Sequence, residues 1–314
     1  MLDLGWDTRF NYMDRAGGTV TDRGVQYRLR TRARLSVTRS GNTYFEVRAE
    51  TGKGFDNSWN NSGLGLGVWQ TVFDVKSIAL HQKFGNSWEA QAGGLEFDRG
   101  AGTDAVYASG DGHMTGYRVA FSGKSAGLPD KISLTAAYLG DFDRQNFFSR
   151  ARMDRVNYWQ LLAEHRLREN LDGSAEVDAI HGAVFGRAAI RFRRLWGVDD
   201  PTLETVVRAT DRVRIGWAMT IGRRWSSDSR WRSDLIYADL PESLYLVDGR
   251  RVLMNRGEID TGKRLAIGTA YRLTPDCEIG VFGGRLLDST PSKRWIAQVG
   301  ISYQFAGLLN RLLR

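Results

Sequence analysis

The chain has 314 residues, of which 42% are hydrophobic and 25% charged, and its formal net charge is +8. This composition is too polar for a bundle of membrane helices and too apolar for a disordered chain, and no apolar run reaches the length of about 18 residues that a transmembrane helix needs. The single cysteine, Cys277, excludes an internal disulfide and a cysteine-rich metal site, and the four histidines have no metal-ligand spacing.

The first ten residues, MLDLGWDTRF, lack the basic segment and apolar core of a secretory signal. If the protein is exported, we therefore expect this sequence to be a mature or trimmed form. Apolar and polar residues already alternate here, since Leu4, Trp6 and Phe10 fall on one side of a strand and Asp7 and Arg9 on the other. Period-two alternation is typical of a β-strand with two different faces.

The strongest pattern is the segment 26–38, QYRLRTRARLSVT, in which every second residue from 28 to 34 is an arginine. In a strand, these arginines form one wall and the residues between them form an apolar wall. In a helix, they would be spread around the whole circumference. The next segment, YFEVRAE, places Glu46, Arg48 and Glu50 on a matching face, so we expect partial pairing across strands, to which Asp7 also contributes.

Further along the chain, the same alternation recurs strongly in three segments and weakly in ten. The strong segments are 212–221, 263–273 and 294–305, and the weak ones are 69–84, 87–97, 115–123, 131–140, 156–167, 174–181, 185–195, 230–239, 243–248 and 278–287. With the three segments described above, the sequence predicts sixteen strands, or fourteen if some of the weak segments do not form strands. An even number is typical of closed bacterial barrels.

The connections between these segments are of two kinds. Short turns lie at 39–42, 84–87, 168–173, 240–243 and 273–276, and long polar loops lie at 13–24, 51–66, 98–114, 141–155 and 249–262. Short turns at one end and long loops at the other indicate an antiparallel transmembrane β-barrel. We therefore predict that residues 1–314 form one all-β barrel domain with a C-terminal extension at 306–314.

One connection, 197–212, breaks this pattern because it should be a short turn but is long. Asp200, Pro201 and Glu204 match the N-cap, first-turn proline and capping-box acid of a helix. The sequence therefore predicts a short helix, either packed on the barrel rim or entering and narrowing the lumen.

The apolar faces fit either a lipid bilayer or the core of a soluble β-protein. Lipid is favoured because nearly every strand has one apolar face, and because aromatic residues fall near strand ends, as in the aromatic girdles of membrane barrels. These aromatic residues are Trp6, Tyr12, Trp225, Trp231, Trp295, Tyr303 and Phe305.

In a barrel, the charged wall must face the lumen, since an arginine in the bilayer midplane costs about 2–4 kcal/mol. Parity then predicts a positive pore lining that favours anions. The predicted pore-lining residues are Arg28, Arg30, Arg32, Arg34, Glu46, Arg48, Glu50, Arg191, Arg193, Arg212, Arg214, Arg264 and Arg272.

The chain resembles the porins of the Gram-negative outer membrane. The segment WIAQVGISYQF, ending at Phe305, is similar to the signal that closes such barrels, although this chain continues with AGLLNRLLR. More narrowly, WEAQAGGLEFDRG (88–100) and DGHMTGYRVAF (111–121) resemble the alginate-export family, although Gly94, Leu95 and Glu96 replace that family's Gly-Arg-Gln. The resemblance implies an outer-membrane channel without enzymatic activity or cofactors, and in the second case an exporter of an acidic polysaccharide.

Four functions therefore follow from the sequence. The first is a passive, anion-preferring pore in the bacterial outer membrane, in contact with lipid, lipopolysaccharide and small anionic solutes, with a second copy of the chain as a further candidate partner. The second is the polysaccharide exporter. The third is an outer-membrane enzyme, for which Asp111 and His113 are the only close acid–histidine pair in a loop. The fourth is a soluble nucleic-acid binder with a basic sheet.

Overall fold

The computed structural model describes residues 2–15, 20–52, 58–65, 67–106, 112–123, 129–140, 146–195, 198–210, 212–224, 230–247, 250–251, 261–288 and 293–305. The first ten strands are β1 (Leu2–Arg15), β2 (Val20–Ser36), β3 (Thr43–Thr51), β4 (Asn60–Gly65), β5 (Phe73–Phe84), β6 (Trp88–Glu96), β7 (His113–Ser122), β8 (Lys131–Tyr138), β9 (Tyr158–Arg168) and β10 (Leu171–Ile180). The others are β11 (Ala183–Phe192), β12 (Arg194–Leu195), β13 (Val198–Ala209), β14 (Val213–Arg224), β15 (Trp231–Leu240), β16 (Leu246–Val247), β17 (Arg250–Arg251), β18 (Gly262–Thr274), β19 (Cys277–Leu286) and β20 (Lys293–Gln304). Two short helices, α1 (Phe147–Arg150) and α2 (Glu242–Tyr245), complete the described elements.

Sixteen of these strands form one closed antiparallel barrel, which confirms the predicted fold. Each wall strand pairs with its neighbours along the chain, and β1 pairs with β20 to close the wall. The four other strands are short: β4 pairs with β2, β12 pairs with β13 beside β11, and β16 and β17 form a separate hairpin. No helix in the described part of the chain is long and apolar enough to cross a membrane.

The predicted strand number is confirmed, but two of its members change. The helix predicted for 197–212 is wrong, because this segment forms the wall strand β13. The strand predicted for 243–248 is also wrong, because α2 and the two-residue strand β16 occupy it. The cap-like Asp200 and Pro201 lie where the pairing of β13 with β14 shifts register, and Asp200 has a φ of 49°. Proline is tolerated at such bulges. Residues that resemble the start of a helix therefore lie near the beginning of a strand here.

The connections between wall strands alternate between the two ends of the barrel. At one end, called the turn side, they are 37–42, 85–87, 123–130, 169–170, 193–197, 225–230 and 275–276. At the other end, called the loop side, they are 16–19, 52–72, 97–112, 139–157, 181–182, 210–212, 241–261 and 287–292. The predicted long loop at 13–24 is mostly strand, since β1 runs to Arg15 and β2 starts at Val20. The C-terminal extension predicted at 306–314 lies outside the described residues.

Apolar side chains are exposed on the outer face of the barrel, with aromatic rings near both ends. Around the turn side, Trp88 packs on Phe121 with ring centroids 5.2 Å apart, and Trp231 packs on Tyr271 at 4.7 Å. Other exposed aromatic residues are Trp6, Phe45 and Phe84 towards the turn side and Trp159, Trp217 and Trp295 towards the loop side. Of the predicted aromatic residues, Trp225 lies outside the described residues. Lipid would cover this surface and provide interfaces for the aromatic rings.

A hydrophobic core lies inside the barrel, towards the loop side of the wall strands from β6 to β18. It is made by inward side chains of these strands together with residues from 97–112 and 241–261 that fold inward. Its largest fully buried members are Leu95, Met114, Leu139, Tyr158, Ile180, Phe185, Leu240, Leu244 and Tyr245. One sector of the lumen is thus filled, and open space is confined to the remaining sectors.

Candidate functional site

The arginines of β2 lie on the inner face of the barrel and are bound by carboxylates of both neighbouring strands. Asp7 of β1 accepts Arg28 at 2.9 Å and Arg30 at 3.1 Å, and its side chain is 3% exposed. The register explains this geometry, since Asp7 lies directly opposite Arg28. The predicted cross-strand pairing is therefore confirmed for Asp7.

Glu46 of β3 plays the same part for the next two arginines. Its carboxylate contacts Arg32 at 2.7 Å, Arg34 at 2.8 Å and Arg48 of its own strand at 2.7 Å. Arg48 also reaches Glu96 at the end of β6, and Glu50 lies opposite Arg30 in the register of β2 and β3. In these ion pairs, five guanidinium groups share three carboxylates.

The other predicted lining residues fall into separate places. Arg191 and Arg193 bind one carboxylate, Asp172, at 2.9 and 3.2 Å, near the turn-side ends of β10 and β11. Arg214 is half-buried in β14, and Arg212 is exposed in the connection before that strand. The prediction of a charged inner wall thus covers several groups that do not meet at one point.

Two predicted residues of β18 differ sharply in exposure. Arg264 is only 1% exposed, so its charge lies within the packed part of the lumen. Arg272, on the same face, is exposed opposite Glu278 of β19.

Residues 97–106, called the inner loop, leave β6 and run along the inside of the barrel wall. Asp98 accepts Lys131 of β8 at 2.5 Å and the hydroxyl of Ser133 at 2.6 Å. Gln160 of β9 donates to the backbone oxygen of Asp98 at 2.7 Å, and Ser174 of β10 donates to that of Ala101 at 3.0 Å. The inner loop is therefore held by three successive strands.

Glu204 of β13 fixes the far part of the inner loop. Its carboxylate accepts the backbone N–H groups of Asp104 at 2.7 Å and Val106 at 3.2 Å, and the residue is fully buried. This is the acid that the sequence assigned to a capping box. It does bind backbone N–H groups, but those of the inner loop rather than those of a helix.

Two cavities that share lining residues remain open beside the inner loop. One, of about 530 Å³, extends from Arg9, Arg28 and Trp59 to Asp104. The second, of about 730 Å³, also touches Asp104 and extends towards the turn side, where Arg272 lines it. The open part of the lumen therefore lies between the inner loop and the wall formed by β14, β15, β18, β19, β20, β1 and β2.

Members of the arginine row face different spaces. Arg28 lines the cavity of about 530 Å³, whereas Arg32, Glu46 and Arg48 line a smaller cavity of about 120 Å³ next to Glu96. Parity alone assigns all these residues to one wall, but they line separate cavities.

Sequence reasoning did not single out two residues of the cavity of about 530 Å³, Arg9 and Trp59. The guanidinium carbon of Arg9 lies 4.0 Å from the ring centroid of Trp59, and that of Arg28 lies 4.8 Å from it. The inward parity of Arg9 was visible in the alternation of β1, but Trp59 lies in a long connection without a periodic pattern.

The structure describes only one residue of the acid–histidine pair considered for an enzyme. His113 is the buried first residue of β7, and Asp111 lies outside the described residues. Across the segments that the structure describes, no group of three or more His, Cys, Asp or Glu side chains could hold a metal ion.

No family model and no curated protein matches this chain. Among solved structures, it is similar to OmpF of Salmonella typhi in complex with daunomycin, with a TM-score of 0.60, 14% identity and 97% of both chains covered. It is also similar to a variant of a porin from Rhodobacter blastica, with a TM-score of 0.57, 10% identity, 97% of this chain and 100% of that chain covered. These comparisons show the fold of the chain, which is the closed sixteen-strand antiparallel barrel found in those porins.

Proposed function

We propose that the protein is a porin of the bacterial outer membrane, a water-filled channel for passive diffusion of small hydrophilic solutes. The observation that carries the proposal is the closed barrel with an exposed apolar outer face and a charged, partly open interior. A soluble nucleic-acid binder would gain nothing from an apolar surface of this extent. Lipid and lipopolysaccharide would surround the barrel, and a second copy of the chain is a further candidate partner.

We infer that the channel prefers anions. The support is the excess of guanidinium groups over carboxylates in the ion pairs of β1, β2 and β3, since charge on a pore wall selects the opposite charge in solution. The proposed lining retains Arg28, Arg30, Arg32, Arg34, Glu46, Arg48, Glu50, Arg191, Arg193, Arg212, Arg214 and Arg272, with Arg264 contributing its charge from a buried position.

The test is a planar-bilayer recording of the purified protein under a gradient of potassium chloride. We expect stepwise conductance and a reversal potential of the sign that chloride permeation produces. Absence of conductance would contradict the pore, and a cation-selective potential would contradict the anion preference alone.

A charge-reversal variant tests the inner wall directly. Replacing Arg30 and Arg32 with glutamate should leave the barrel folded, because both side chains lie on the inner face and are about one-third exposed. The reversal potential should shift towards cations, since four units of charge change on the wall. An unchanged reversal potential in a folded variant would show that the arginine row of β2 does not determine the selectivity of the channel.

Export of an acidic polysaccharide is the second candidate, favoured by the continuity of the arginine row. Arg28 to Arg34 extend for roughly 20 Å along β2, a length over which a polyanion could make repeated contacts. An acidic oligosaccharide that blocks the chloride current far more strongly than its monomer would favour this function. Equal block per charge would favour the simple pore. Deletion of 197–212 cannot test a gate, because β13 is part of the wall.

A further inference from the structure

We propose that a recess in the outer face of the barrel binds an acyl chain of a phospholipid from the turn-side leaflet. The recess is an apolar cavity of about 300 Å³ bordered by β11, β12, β13 and β14. This inference rests on the proposed place of the protein in the outer membrane and deepens it, because it names the chemistry of a lipid partner and the part of the barrel that holds it.

The lining of the recess is apolar throughout. Its six larger residues are Phe192, Leu195, Val198, Leu203, Met219 and Ile221. Pro201 and Thr202 complete the lining, and no polar atom contributes to the surface. The hydroxyl of Thr202 donates to the backbone oxygen of Asp200 at 2.9 Å, so its hydrogen bond is made within β13. Since the recess offers no hydrogen bond to a polar ligand, a hydrocarbon chain is the class of ligand that fits it.

The recess exists because the wall is irregular at the start of β13. The pairing of β11 with β13 runs as far as Thr202, and β12 resumes it only at Asp199. Between the same two residues, the pairing of β13 with β14 shifts register. An irregularity of this kind bends a strand and redirects its side chains. The side chains around the shift therefore border a depression instead of forming the even surface of a regular sheet.

The recess lies at the depth of lipid chains rather than of headgroups. Ile221 is opposite Leu235 of β15, and Leu235 is four residues from Trp231, one of the turn-side aromatic residues. Four residues of a strand span about 13 Å. Because such aromatic rings lie at the membrane interface, the recess lies on the hydrocarbon side of that interface.

Dispersion contacts are what would hold a chain in the recess. A lipid chain beside the barrel is already in an apolar medium, so the hydrophobic effect does not favour the recess over the rest of the wall. A chain in the depression contacts protein on several sides, whereas an unfilled depression loses those contacts. Favourable contacts inside a bilayer typically change an equilibrium constant by about threefold.

A second copy of the chain fits this position less well than a lipid does. The outer faces of two barrels are both convex, so they meet along a narrow line and leave a depression unfilled unless a side chain protrudes into it. The recess has eight lining residues. A stable protein interface uses about 20–30 residues from each partner. A flexible acyl chain needs no such area and can follow the shape of the recess.

The experiment uses the whole chain in vesicles of phosphatidylethanolamine and phosphatidylglycerol with a trace of phosphatidylethanolamine that has a photoreactive diazirine on an acyl chain. After illumination, mass spectrometry locates the labelled residues. The reference residues are Val119 of β7 and Leu134 of β8, which match Val198 and Leu203 in residue type and are about half exposed on the outer face. We expect Val198 and Leu203 to be labelled about threefold more than the reference residues.

Variants that fill the recess provide the second part of the test. V198F should reduce the label at Leu203 to the reference level, because the added ring occupies the space of the chain. The matched control is V119F, which adds the same ring to an outward valine of β7 and should leave the label at Leu203 unchanged. M219F, at the β14 border of the recess, is a second filling variant and replaces V198F if that variant does not fold.

The contradicting results are distinct for the lipid site and for the porin function. Equal label at Leu203 and at the reference residues, in a wild-type protein that conducts, would overturn the lipid site and leave the porin function intact. An unlabelled recess together with a disulfide between two copies of V198C/C277S would also overturn it, by assigning the recess to a second copy. A wild-type protein without conductance would contradict the porin function instead.

Discussion

Glu46 binds three guanidinium groups from two strands, so one carboxylate offsets much of the repulsion within the arginine row. Its own side chain is 5% exposed, whereas Arg32 and Arg34 are 36% exposed. The interaction is therefore intermediate between a surface pair, worth up to about 1 kcal/mol, and a buried pair, whose loss costs about 3–5 kcal/mol.

Replacing Glu46 with glutamine should lower the free energy of unfolding by about 2 kcal/mol and increase the anion preference. Both effects follow from the three arginines, which lose their shared partner and keep their charge. Heat-induced unfolding in detergent and the reversal potential are the two measurements. A variant with unchanged selectivity would show that this part of the wall does not influence the permeating ions.

At the scale of single residues, the sequence predicts the ion pairs of the wall but not the position of Trp59. Period two fixes the face of each strand residue, and adjacent strands bring Asp7 and Glu46 to the arginines. Trp59 could not be placed in this way, because its position depends on the return of the connection 52–72 to β2.

Among the elements, the inner loop has the most direct influence on the open space. Two of its backbone N–H groups bind the carboxylate of Glu204, and hydrogen bonds to a charged group contribute about 1.5–3 kcal/mol each. Glu204 therefore holds the far part of the inner loop against β13.

Replacing Glu204 with alanine should release the inner loop from β13 and produce fluctuating single-channel conductance. Replacing it with glutamine should produce smaller fluctuations, since the amide oxygen still accepts a hydrogen bond. Single-channel recordings of the two variants compare them directly. Steady wild-type conductance in E204A would mean that the contacts with β8, β9 and β10 hold the inner loop without Glu204.

Two elements, β13 and the inner loop, show which features the sequence pattern can predict and which it cannot. In β13, Leu203, Thr205 and Val207 alternate with inward Thr202, Glu204, Val206 and Arg208, so a strand signal was present beside the helix-start residues. The inner loop gave no such signal, because its polar sequence is that of an ordinary surface loop. Its inward course depends on partners in β8, β9, β10 and β13, which only the folded barrel brings together.

For the molecule as a whole, the balance of charge on the inner wall should depend on pH in one direction. Carboxylates take up protons as the pH falls through about 4, while guanidinium groups stay charged. The preference for chloride over potassium should therefore rise between pH 7 and pH 4. Reversal potentials at several pH values check this. A preference that falls with pH would contradict an arginine-dominated lumen.

The pairing of β1 with β20 also has a consequence for biosynthesis. Asn11 and Gln298 are joined at 3.1 Å although 287 positions separate them in the chain. The first strand emerges from the ribosome long before its final partner exists, so β1 must wait for almost the entire chain to be synthesised. During that time, its unpaired edge can recruit strands from other molecules. We expect aggregation during this delay, rather than the stability of the folded barrel, to limit the yield of the functional protein.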